Sequence, residues 1–224
     1  MSPIQPDGKM PRLDWAANED LRRKALLERC LEYRTRLQCR DPYEMARLAA
    51  LGISKREDET VILCGDNWGE QWEITWPDLA VTGKGGDKAP LHTETLWLHY
   101  LDRADGHPLT GRWVNLSQIG GLFYQQAFQG YAGDKLARAW GEAEEALGRK
   151  CRAEGGWPVH GLGGLAFAWH ALPRLPVCLC YRAPSGPSPA WATVLFDAAT
   201  DHYIAADVAA ILGKQLVDRL MPPS

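Results

Sequence analysis

Four polar side chains recur at helical spacing in the middle of the chain: His92, Thr95, His99 and Asp102, at i, i+3, i+7 and i+10. Residues three and four apart share one face of a helix, so these form a stripe, with Trp97, Tyr100 and Leu101 facing elsewhere. A carboxylate three residues from an imidazole can orient the ring and raise its basicity, which makes His99 with Asp102 a candidate general base. The same pair also suits an ordinary helix surface, where neighbouring opposite charges support the helix. His92 and His99 lie about 10.5 Å apart along the axis. One metal ion cannot join them, because each Zn–N bond spans only about 2 Å.

Rings gather around the exit of that helix. Tyr100, Trp113, Phe123, Tyr124, Phe128 and Tyr131 are interrupted by Gly106, Gly111, Gly120 and Gly121. Bulky rings beside backbone that lacks Cβ atoms can line a pocket for a planar molecule, with Tyr100, Gly106, Trp113, Gly121 and Phe128 as the candidate binding residues. The competing reading is a packed core with turns. Cys178-Leu-Cys180 on a strand would put both sulfurs on one face, and with His170 or Cys64 they are candidate metal ligands. The Cys-x₂₋₄-Cys spacing of zinc sites is missing, however, and buried cysteine often acts as a small hydrophobe. Gly161-Leu-Gly-Gly164 lacks the strand, the helix and the Lys-Ser/Thr of a nucleotide loop. No Gly-x-Ser-x-Gly elbow is present. The residues thus name no cofactor and assemble no nucleophile.

The whole chain narrows the field further. It has 224 residues, 46% hydrophobic, 25 Lys+Arg against 28 Asp+Glu, for a net charge of -3. Such a balance speaks against nucleic-acid binding, which needs a basic surface. Met1–Met10 has no apolar signal region, and the longest apolar stretch, 162–179, is broken by Pro173 and Pro176. The expectations are no membrane span and a cytoplasmic location, with the 6 cysteines reduced.

The elements that must position these residues follow from periodicity. Residues 1–14, rich in proline, read as a flexible arm, and 15–224 as one α+β domain. Helices are expected over about 16–38 and 42–51, the second capped by Asp41 with Pro42 at its first position and stopped by Gly52. Val61–Cys64, a turn at 66–69, and alternating Trp72, Ile74 and Trp76 predict a β-hairpin. If exposed, its tryptophans (Trp68, Trp72 and Trp76) would suit a protein partner or a second copy of the chain. Gly83–Pro90 reads as a disordered loop. Helices follow at about 92–103, 121–129 and 134–147, with a short extended piece at 113–115. Strands at 165–172, 177–181 and 192–196 predict a mostly antiparallel sheet, closed by a helix at 206–220.

Several of these segments together resemble one family. Leu98-His-Tyr-Leu101, Ala104-Asp-Gly106, Pro108-Leu-Thr-Gly-Arg-Trp113 and Phe128 are followed by Leu172-Pro-Arg-Leu-Pro176, Pro189-Ala190 and Val194-Leu-Phe-Asp197. This order is similar to that of the uncharacterised prokaryotic family called domain of unknown function 3786, from about Asp14 onward. The resemblance implies a single intact domain in a cytoplasmic, often anaerobic, host, and carries no activity. It also implies, in some relatives, an added four-cysteine iron–sulfur segment, whose spacing Cys30 and Cys39 do not match. The expected function is a non-enzymatic ligand- or cofactor-binding accessory module for a planar molecule, linked through the family to iron–sulfur or corrinoid metabolism. The alternatives are a small-molecule enzyme using the His99–Asp102 base, and a protein-interaction subunit using the tryptophan hairpin.

Overall fold

A computed structural model describes residues 19–120 and 122–222. The expected arm at 1–14 and the candidate Gly121 lie outside the described residues. The chain folds as a single α+β domain in which two antiparallel sheets share a core with the helices.

Helix α1 (Glu19–Leu37) buries Cys30, Tyr33 and Leu37, which recur at helical spacing. Helix α2 (Pro42–Ala49) starts where the Asp41 carboxylate accepts from Tyr43 N–H at 2.7 Å and Glu44 N–H at 3.3 Å. It ends earlier than the glycine signal suggests: Ala50 takes the left-handed cap (φ 53°), and Gly52 opens a strand instead. That strand, β1 (Gly52–Lys55), is the edge of a four-stranded meander with β2 (Val61–Asn67), β3 (Glu70–Trp76) and β4 (Val81–Gly83). Trp68 and Gly69 both have positive φ in the two-residue hairpin loop, the geometry that matches strand twist. The segment expected to be disordered after β4 is a closed turn, where Gly86 N–H donates to Gly83 O and Gly83 N–H to Asp87 O.

The hairpin tryptophans do not form an exposed docking edge. Trp72 and Trp76 pair across from Gly65 and Val61 on the face that holds Leu63 and Ile74, and all three hairpin tryptophans pack against the core. The hairpin tip is fastened down: Asn67 Nδ2 donates to Ala171 O at 2.7 Å and Trp68 Nε1 to Gln215 Oε1 at 3.1 Å.

Helix α3 (Leu91–Arg103) runs through the centre, with Trp97, Leu98, Tyr100 and Leu101 buried. After β5 (Trp113–Val114) come α4 (Ser117–Gly120) and α5 (Leu122–Tyr131). The single helix expected at 134–147 is two, α6 (Gly133–Trp140) and α7 (Glu144–Ala153), separated at Gly141 with its φ of 49°. The second sheet has the order β5-β9-β8-β7-β6, from β6 (Trp157–Pro158), β7 (Leu165–Leu172), β8 (Leu175–Arg182) and β9 (Trp191–Asp197). A short 3₁₀ turn at Thr200–His202 leads to the closing helix α8 (Ala206–Leu220). Among the described residues no helix is long and apolar enough to cross a membrane.

Candidate functional site

Three residues of the polar stripe on α3, Thr95, His99 and Asp102, face α1, while His92 is exposed. Rung by rung, Thr95 Oγ1 meets Cys30 Sγ at 3.1 Å, His99 Nδ1 meets Tyr33 Oη at 2.8 Å, and Asp102 takes a two-pronged bond from Arg36 at 3.0 and 2.7 Å. Residues 30, 33 and 36 thus match 95, 99 and 102, and the two helices run side by side in one direction. Arg34 and Glu94 add an ion pair to the same interface.

His99 is only 7% exposed and both its ring nitrogens are engaged. Ala205 N–H donates to Nε2 at 3.1 Å, so the ring proton sits on Nδ1 and is given to Tyr33 Oη. Burial, followed by the nearby Arg103 charge, pushes the imidazole down to about 4. The expected orienting partner, Asp102, spends both oxygens on Arg36. His99 is therefore a neutral interhelical bridge in this structure, and the pair does not form the proposed base.

The described residues expected around a planar ligand are scattered and line no common hollow. Tyr100 is fully buried; its hydroxyl donates to Ala49 O at 2.7 Å and accepts from Arg174 N–H at 3.1 Å. Phe128 is buried against Phe196, and a Cβ on Gly213 of α8 would lie 2.5 Å from its ring. Gly106 (φ 81°) sits over Leu48 of α2, and Trp113 belongs to a separate small cluster on the outer face of the second sheet. The Tyr100 and Phe128 rings fill space that they were expected to line. Core packing consumes large apolar side chains first, and sequence clustering alone does not distinguish a lining from a filling.

Cys178 and Cys180 share the outer sheet face, as alternation predicts, and are buried there with Ala166, Ala168, Val159 and Leu162. Cys180 Sγ donates to Leu162 O at 3.5 Å. Burial raises both thiols, with the Cys180 charge adding to the effect on Cys178 and Arg182 opposing it at Cys180. All 6 cysteines are free thiols, and no group of three or more His, Cys, Asp or Glu side chains among the described residues could hold a metal ion.

Two of the motif segments that carried the family resemblance, 108–113 and 194–197, meet in one staple. Asp197, at the end of β9, is 2% exposed. Its carboxylate accepts from Thr110 N–H, Thr110 Oγ1–H, Gly111 N–H and Ala199 N–H at 2.8–3.1 Å. Four donors satisfy the buried charge and fix the 104–112 loop to the second sheet. Upstream in that loop, His202 Nδ1 lies 2.6 Å from Asp105 Oδ2, and the His107 and His202 rings stack at 3.8 Å with 4° between planes.

One opening has a binding site's composition, and sequence reading did not anticipate it. A cleft of about 430 Å³ lies where the α1–α2 turn faces the end of the first sheet. Its floor is a cross-strand row, Lys55–Val61–Trp76, set by the β1–β2 and β2–β3 registers. Its wall is Gln38–Tyr43. The row continues the buried Leu63–Ile74 layer outward, so apolar surface emerges into solvent there. Trp76 Nε1 is buried with no hydrogen-bond partner among the described residues. The Arg40 guanidinium is anchored by Leu101 O and Asp102 O through Nη1, and Lys55 pairs with Glu59. Asp41 is occupied in capping α2. The only clue in the sequence was Trp76 itself, whose ring the hairpin reading assigned to an exposed edge.

No curated protein and no solved structure matches the chain. A family model described as domain of unknown function (DUF3786) matches residues 41–219, from the α2 cap through the last turn of α8. That span takes in the Asp197 staple, the 104–112 loop and every strand of both sheets. The chain belongs to the DUF3786 family.

Proposed function

We propose that the protein is a non-enzymatic binding module for a small planar molecule bearing one negative charge, held in the cleft between the α1–α2 turn and the Lys55–Val61–Trp76 row. The reading rests on Trp76: a half-buried indole on the floor of the cleft, beside two cations. Its ring offers a stacking surface, and Arg40 and Lys55 a positive edge. The depression is shallow and largely open to solvent, so a flat molecule would lie against the indole with one face in water. The interior around Tyr100 and Phe128 supports no such reading, since it has no room. The general-base reading has less behind it, because both His99 nitrogens are already hydrogen-bonded.

Titration of the full chain with benzoate and naphthoate, followed by two-dimensional NMR, tests this. The Trp76 indole N–H and the amides of residues 38–41, 43, 55 and 61 should shift saturably with added naphthoate. Lys55→Glu should weaken the response several-fold, by roughly 1 kcal/mol of lost attraction. Shifts that are absent, or that map elsewhere on the surface, would overturn the assignment.

A further inference from the structure

Helix α1 meets α3 largely through polar side chains, Cys30, Tyr33, Arg34 and Arg36, and turns three of its five leucines to solvent. Leu21, Leu27 and Leu31 are 61%, 51% and 68% exposed. Outside α1, the only large hydrophobic side chain more than half exposed among the described residues is Tyr43. Single leucines scattered over a surface need no cover, but three along one helix, bridged by the aliphatic stems of Lys24 and Glu28, make a strip.

The strip is complementary to itself. Leu21, Lys24, Glu28 and Leu31 follow one another at intervals of three, four and three, so they share one face of the helix. A second copy of that face can be laid on it antiparallel, about a two-fold axis level with Leu26. Leu21 of one copy then meets Leu31 of the other, and Lys24 meets Glu28, each contact being made twice. Leu27, on the flank of the stripe, meets its own counterpart beside the axis. Parallel pairing would instead set Lys24 against Lys24 and Glu28 against Glu28. Both charged side chains are exposed, and neither spends its charge in an ion pair among the described residues. We infer that α1 is a homodimerisation helix, pairing antiparallel with α1 of a second copy through Leu21, Lys24, Leu27, Glu28 and Leu31. The helix is about 28 Å long, which puts the contact at the small end of protein interfaces, so the dimer forms reversibly at micromolar concentration.

Sedimentation velocity of the full chain, run from about 5 to about 300 µM, tests the pairing. The mean mass should rise from one chain toward two. Leu31→Glu should hold it at one chain while leaving the far-UV circular dichroism unchanged. Lys24→Glu and Glu28→Lys should each weaken association about tenfold, because each sets like charges opposite one another twice. Mixed in equal amounts, those two variants should recover wild-type association, since each then meets the opposite charge, and a loss of helix within each chain would not be repaired by mixing. One chain at every concentration (the result if a different partner covers the leucines), a dimer indifferent to Leu31→Glu, or no recovery on mixing would each overturn the inference.

Discussion

Protonating His99 costs one of its two bonds: Nε2 cannot accept from Ala205 N–H once it carries a proton. The folded-state value lies below the unfolded one, near 6.5, so the unfolded chain binds the extra proton. The stability that the neutral ring confers is complete above about pH 6.5 and is lost as pH falls toward about 4, a total of about 3 kcal/mol. Urea midpoints measured across that window should fall steeply for the wild type. His99→Gln should start lower and show a shallower slope. A hydroxyl accounts for a second prediction. Tyr100→Phe leaves Ala49 O and Arg174 N–H without their partner and should destabilise by about 1–3 kcal/mol in urea denaturation.

At the scale of elements, α1 and α3 are joined through polar rungs, and the spacing of those rungs was visible before the partner was. His92, Thr95, His99 and Asp102 were legible as one face, and Cys30, Tyr33 and Leu37 as another. What periodicity could not supply was that the two faces meet. A stripe of polar residues reads as solvent-facing until a second stripe is brought against it by tertiary structure. The α2 cap at Asp41-Pro42, α3 and α8 were legible because cap chemistry and apolar spacing agreed there. Strand β1 was not, because all four of its residues are exposed and it carries no alternation. The break between α6 and α7 rests on one glycine, a signal too common to decide on. Packing between elements can also be tested at Gly65 on β2. A Cβ there would lie 2.5 Å from the Trp97 ring and 2.7 Å from Leu51. Gly65→Ala should destabilise by about 1–3 kcal/mol, read as a lower denaturation midpoint with an unchanged slope.

Across the whole molecule, the two sheets are one cooperative unit because the hairpin tip bridges them. Asn67 reaches β7, Trp68 reaches α8, and the Tyr100 hydroxyl ties the α2 cap to the β7–β8 turn. Unfolding should therefore be a single transition, with amides of β2 and β8 exchanging at the same free energy. Asn67→Ala should split those two values, and native-state hydrogen exchange would register the split. The α+β class was readable from the run of helices followed by strands. The cleft was not, because its floor is assembled from Lys55, Val61 and Trp76, whose alignment depends on register across three strands. Only β2 and β3 of those were anticipated, and the wall comes from a helix turn that sequence offers no reason to place opposite them.

Cys39 sits on the rim of that cleft as an exposed thiol, while Cys30, Cys151, Cys178 and Cys180 are buried and Cys64 is half-covered. Burial also pushes Cys151 up to about 12, which leaves it almost no thiolate to react. A maleimide dye added to the unaltered chain should accordingly attach first at position 39. That would put a fluorescent reporter beside Trp76, within quenching range of its indole, with no engineering of the protein.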